Sequence, residues 1–168
     1  YRVLPEDIVE HKNIVLKQEK YIYILLNKPQ NCLSTTTDDR QRKTVLDFIK
    51  IDKKHRIYPV GRLDFDTTGL MIITNDGNLT QKLLHPKNEV AKVYHVTLNK
   101  TFDCSDLLKI KHGIELEDGL IAADTAFHLK KKNQVSIEIH SGKNRIIKRI
   151  FNHLGYQVLA LDRASIAG

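Results

Sequence analysis

Cysteine is scarce in this sequence. Cys32 and Cys104 lie far apart with no CxxC pair, and two thiols can build neither a disulfide framework nor a zinc site by themselves. A reducing, cytoplasmic setting fits. Long apolar runs are missing too: no stretch approaches the roughly 20 apolar residues a membrane helix requires, and no basic-then-apolar signal pattern opens the chain. No membrane partner is expected. The eight histidines, among them His85, His95, His128, His140 and His153, show no HExxH or Cys/His spacing for a metal.

What is present is ordinary globular material. A chain of 168 residues with 41% hydrophobic and 28% charged residues can bury a real core, and its length fits one folding unit. Lys and Arg number 27 against 20 Asp and Glu, a formal charge of +7. That excess attracts polyanions, nucleic acid first. Lysines kept for solubility explain the total equally well, so the placement of the charges has to decide.

Residues 1–20 read as a polar lead-in with one short apolar patch, Ile14-Val15-Leu16. Tyr21 to Leu26 is a β-rich run closed by Asn27-Lys28-Pro29, where proline denies a sheet its donor. A short amphipathic helix is expected over Thr44 to Ile49, a strand over Arg56 to Val60, a polar loop over Gly61 to Gly69 and a buried strand over Leu70 to Thr74. Asn75-Asp76-Gly77 then caps a helix ending near Leu84, with Pro86 as the stop. Beyond Lys92 the pattern predicts a strand (Val93 to Leu98), a helix (Asp103 to Ile110), a hairpin turning at Glu117-Asp118-Gly119, a strand (Gln134 to Ile139), a helix (Lys143 to Leu154) and a strand (Tyr156 to Leu161). Strands outnumber helices, so the expected class is α+β, with a mixed, largely antiparallel sheet and flanking helices.

Two segments carry chemistry. In the loop from Gly61 to Gly69, an extended backbone would send Asp64 and Asp66 to one face and Leu63 and Phe65 to the other, as anchors. A plain polar turn explains Gly69 and Asp66 but not that alternation. Along the helix from Lys143, Arg145, Lys148, Arg149 and Asn152 share one face, while Ile146, Ile147, Ile150, Phe151 and Leu154 share the other. No acidic residue between Lys143 and Leu161 neutralises that cationic stripe, which weakens the reading of a salt-bridged, solvated face. Lys130-Lys131-Lys132 adds basic charge at what reads as a hairpin end.

Gly61-Arg62-Leu63-Asp64, continuing through Thr67-Thr68-Gly69-Leu70 to Thr74-Asn75-Asp76-Gly77, resembles the signature of the bacterial ribosomal RNA pseudouridine synthases of the RsuA, RluB, RluE and RluF type. Three further motifs follow the same pattern: Leu25-Leu26-Asn27-Lys28-Pro29 resembles the family's entry strand, Lys92-Val93-Tyr94 its tyrosine motif, and Gly142-Lys143-Asn144-Arg145 the start of its basic helix. Four ordered motifs are far more specific than any one. The resemblance spans residues 21–168 and implies a catalytic domain there. Val3 to Lys17 resembles the last piece of the S4-like RNA-binding domain that family members carry, and the family extends past the point matching Gly168.

The resemblance implies an RNA isomerase that detaches uracil from C1′ of the ribose, turns it and rejoins it through C5, with no cofactor and no external donor of atoms. The expected substrate is ribosomal RNA, large-subunit (23S) rather than 16S because more branches of the family act there; a monomer is expected. Asp64 matches the catalytic carboxylate, a group suited to act as nucleophile, as base or as stabiliser of cationic character at C1′. Tyr94 matches a tyrosine that packs on the base and assists removal of the C5 proton. Lys148 falls where the family places the cation that orients Asp64, usually an arginine, with Arg149 as the fallback. Arg62, Lys143, Asn144, Arg145 and Arg149 are the expected RNA-binding residues.

Two rivals stand beside this reading. Asp64-Phe65-Asp66-Thr67-Thr68 satisfies the bare DxDxT pattern of haloacid-dehalogenase-type phosphatases, which need Mg²⁺ on further acidic residues downstream; here the downstream helix is cationic. A non-catalytic RNA-binding module explains the charge but leaves the loop unexplained.

Overall fold

The computed structural model describes residues 3–4, 6–16, 19–52 and 54–168. The lead-in holds a small hairpin, β1 (Glu10–His11) and β2 (Ile14–Val15), and its apolar patch Ile14, Val15 and Leu16 is exposed. Lys17 lies outside the described residues.

The remaining strands are β3 (Tyr23–Lys28), β4 (Tyr58–Pro59), β5 (Thr68–Thr74), β6 (Lys92–Leu98), β7 (Ile114–Leu116), β8 (Gly119–Ile121), β9 (Thr125–His128), β10 (Gln134–Ile139) and β11 (Val158–Ile166). The helices are α1 (Gly77–Leu84), α2 (Cys104–His112) and α3 (Ile146–His153). The main sheet runs β3-β5-β11-β6-β10-β9, with β4 also pairing β5. Its one parallel pairing joins β11 to β5 through Asp162↔Thr68 and Arg163↔Gly69, so the sheet is mixed and largely antiparallel, as expected. β7 and β8 form the anticipated hairpin.

That short parallel seam divides the sheet between two cores. On one side Cys32, Val45, Ile57, Leu63, Met71 and Ile73 are buried together. On the other, β6, β10, α2 and α3 bury a larger set that includes Phe102, Ile137, Ile147, Ile150 and Phe151. Each fully buried Ile or Phe of this kind contributes about 1.5–3 kcal/mol. Tyr94 packs against both cores. At the seam, Gly69 has φ +109°, and a Cβ there would lie 2.4 Å from the Arg163 nitrogen and oxygen; glycine alone lets the two strands approach so closely.

Several boundaries differ from expectation. The segment after Thr44 is a single 3₁₀ turn, Val45–Phe48, closed by a capping box with Asp47. β11 continues to Ile166 instead of stopping at Leu161, and β9 was not anticipated. α3 begins at Ile146, not Lys143: Arg145 sits in the left-handed region at φ 47° and ends the preceding turn. The strands α3 packs against still cover its apolar face, so the predicted division into core and cationic sides holds for Ile146, Ile147, Ile150 and Phe151.

Candidate active site

The loop after β4 does not run extended. The Thr67 amide donates to the Asp64 carbonyl at 3.1 Å, which folds Asp64 to Thr67 into a turn. Leu63 is buried, but Phe65 is 43% exposed, so only one of the two apolar residues anchors the loop. Strict alternation fails because the turn rotates Phe65 outward.

The second anchor is Lys28, which the strand pattern had treated as a mere terminus. Its side chain is fully buried, and its Nζ donates to the carbonyls of Asp64 (3.0 Å), Thr67 (2.8 Å) and Pro29 (3.1 Å). All three ammonium protons are thereby used, two of them on the two ends of the turn. Burial pulls this ammonium below the usual lysine range, while Cys32, Asp66 and Asp64 work in the opposite direction. Ser34 adds a clasp: its Oγ donates to the Leu63 carbonyl at 2.8 Å and lies 3.0 Å from the Leu63 amide. The signal available in sequence was a lysine closing an apolar strand directly before Pro29.

Against this turn comes the cationic side of α3. Lys148 Nζ lies 3.1 Å from Asp64 Oδ2 and 2.6 Å from Asp66 Oδ1, and Arg145 Nε lies 3.5 Å from the same Asp64 Oδ2. Asp64 is thus held by two cations through one oxygen. The hydrogen bond from Lys148 holds the Asp66 carboxyl below the usual aspartate range, against a smaller opposing effect of burial.

Arg149 does not meet Asp64. Its two terminal nitrogens fork onto Asp118 at 2.9 and 2.5 Å, and Lys143 donates to the Asp118 carbonyl at 2.7 Å. Arg149 is therefore excluded as the fallback partner of Asp64. The Arg149 hydrogen bonds hold the Asp118 carboxyl down to about 2. The cationic stripe is also less bare than expected, because Asp118, Asp64 and Asp66 reach it from other elements.

A cleft of about 790 Å³ opens over the turn, lined among others by Arg62, Asp64, Tyr94, Lys143, Asn144 and Arg145. Its size suits a nucleoside. Lys148 and Arg149 line a neighbouring groove of about 410 Å³, with Asn144 and Arg145 shared between the two. Asp64, Tyr94 and Arg62 thus share one cavity, while Lys148 supports Asp64 from behind. Arg62 is exposed and Tyr94 half-buried. The Thr67 hydroxyl, at the closed end of the turn, is buried without a hydrogen-bond partner. Among the described residues no three His, Cys, Asp or Glu side chains converge as metal ligands, and Lys148 sits between the two aspartates of the DxDxT pattern.

Comparison with known proteins gives the family and the fold. The family model for RNA pseudouridylate synthase matches residues 22–153. The chain belongs to that family. Ribosomal large subunit pseudouridine synthase B of Bacillus subtilis (strain 168) is 42% identical over 99% of this chain and 70% of its own length. An uncharacterized RNA pseudouridine synthase of Aquifex aeolicus (strain VF5) is 39% identical over 98% of this chain and 68% of its own. The mycobacterial relatives match over about 62% of their length, so this chain corresponds to roughly two thirds of a family member. A crystal structure of a pseudouridylate synthase superposes with a TM-score of 0.77 at 28% identity, over 99% of this chain and 72% of that one. A more distant likeness, TM-score 0.57 at 18% identity, is to a chain in an H/ACA RNP and concerns the fold alone. The activity that goes with membership is isomerisation of uridine to pseudouridine in RNA.

Proposed function

We propose that this protein isomerises a specific uridine of ribosomal RNA, in the large subunit, with Asp64 as the catalytic carboxylate. The observation that carries the reading is the state of Asp64: it lines the cleft while Lys148 and Arg145 both approach its Oδ2, which supports Oδ1 as the oxygen that meets substrate. A target uridine must leave its stack to reach that oxygen, which costs a few kcal/mol and is offset by phosphate contacts and base packing. Tyr94 lies in the same cleft as a flat face for the base and assists at C5. Lys148 orients Asp64, its point charge standing where a bidentate guanidinium is usual.

Arg62, Asn144 and Arg145 at the cleft contact RNA. Lys143 and Arg149 belong to the same surface but contribute less, since Asp118 already offsets their charge. In this reading residues 21–168 are the catalytic domain and residues 1–20 are the end of an upstream RNA-binding domain. The protein works as a monomer in the cytoplasm, and the relative named for the large ribosomal subunit supports the choice of RNA.

The test is chemical mapping of pseudouridine across both ribosomal RNAs, with and without the protein. One large-subunit position should lose its modification in a strain lacking the protein and regain it on addition of the wild type but not of Asp64→Asn. A missing small-subunit position, or full restoration by Asp64→Asn, would overturn the substrate or the catalyst respectively.

A further inference from the structure

The floor of the cleft holds two further cations, Lys92 and Arg163. Arg163 stands directly opposite Tyr94 across β11 and β6, and directly opposed residues present their side chains to the same face of a sheet. Lys92, two positions before Tyr94, shares that face. Lys92, Tyr94, Leu161 and Arg163 all line the cleft. They present one aromatic ring, one aliphatic side chain and two positive charges.

Neither charge has a carboxylate partner among the described residues. Arg163 is only 3% exposed; its Nε donates to the Leu70 carbonyl at 2.8 Å, while its Nη2 is buried with no acceptor. Lys92 Nζ donates once, to the Val90 carbonyl at 2.7 Å. Burial, and after it the like charge of Arg163, pull the Lys92 ammonium below the usual lysine range. Among the described residues Asp64 is the one carboxylate lining the cleft, and Lys148 and Arg145 already hold it. A buried guanidinium nitrogen without an acceptor is costly unless a ligand supplies one.

The reaction offers such an acceptor. Breaking the C1′–N1 bond leaves its electron pair on N1, and the ring spreads that charge to its carbonyl oxygens. The pair that then forms C1′–C5 comes from the ring, C5 loses its proton and N1 gains one, so the overall change is an isomerisation. We propose that Lys92 and Arg163 form a cationic floor that takes the carbonyl edge of the everted uracil and carries its negative charge while the base is detached. This rests on the uridine-isomerising reading above and adds the group that stabilises the leaving base. Preorganised positive charge in a water-poor site acts where charge develops, and here it also keeps the free base from escaping before it turns.

The experiment measures single-turnover pseudouridine formation at saturating enzyme, together with RNA affinity over a salt series, for wild type, Lys92→Met, Lys92→Arg and Arg163→Lys. Lys92→Met should lower the saturated rate about 10²-fold, with RNA affinity within about threefold and an unchanged salt slope. Lys92→Arg should recover most of that rate, and Arg163→Lys should lose about tenfold. If Arg163→Lys fails to fold, the half-buried Lys92 decides alone. An unchanged saturated rate with a salt slope reduced by about one would make Lys92 a phosphate contact and overturn the proposal, as would no change in rate or binding. A wild type that forms no pseudouridine would instead reject the parent reading.

Discussion

α3 presents cations to two carboxylate clusters, and the two are built differently. At the β7–β8 hairpin, both oxygens of Asp118 are taken by the fork of Arg149 and Lys143 stands beside them. This pair is closed: it ties a hairpin to a helix, with a cation already on each oxygen. At the loop after β4, Lys148 and Arg145 converge on a single oxygen of Asp64. That pair is open. The difference shows how one basic helix face can grip a carboxylate through both oxygens at one end and through a single oxygen at the other.

The largest effect should come from removing the open carboxylate. Asp64→Asn should lower turnover by at least about a thousandfold and leave RNA binding within a few-fold; conversion assays beside filter binding would reveal any surviving activity. Next comes the support behind it: Lys148→Met should reduce turnover about 10²-fold while Lys148→Arg keeps most of it, measured at saturating RNA. The backbone anchor should show first in stability. Lys28→Met strands buried carbonyls at both ends of the turn and should cost about 2–4 kcal/mol in urea unfolding; an unchanged midpoint would refute its role as anchor.

The smallest effect belongs to the closed pair. Asp118→Asn should leave turnover within about twofold and lower the melting temperature slightly. Because the folded Asp118 carboxyl sits near 2, below the value of about 3.9 for a free aspartate, its contribution is present above pH 4 and lost as pH falls toward 2. The melting difference between wild type and Asp118→Asn should therefore be steady from neutral pH to about 4 and vanish below. A difference that grows on acidification would contradict the pairing.

Sequence carried the outline well where short-range pattern decides structure. The apolar side of α3, the Asp76 cap of α1, whose carboxylate accepts from the Leu79 amide at 3.0 Å, and the Asp64 loop were all legible from periodicity or from motif. What stayed hidden depended on partners far along the chain. Lys28 lies 36 residues from Asp64, and Arg149 lies 31 from Asp118; no local pattern announces either contact. Phe65 was misplaced because one i to i+3 hydrogen bond turned a presumed extended segment. Arg163 fell beyond the expected end of β11, since Asp162 and Arg163 interrupt the apolar run that signals a strand.

Gly69 gives this architecture a hard limit. Where the strands of the two cores meet, even a methyl group would collide with the Arg163 main chain, and backbone atoms, unlike the far end of a side chain, cannot swing aside to admit it. Drift at position 69 is therefore closed to every other amino acid unless the seam itself is rebuilt. The parallel seam that holds Thr68 and Gly69 against Asp162 and Arg163 depends, in the end, on a hydrogen atom where any other residue would carry a carbon.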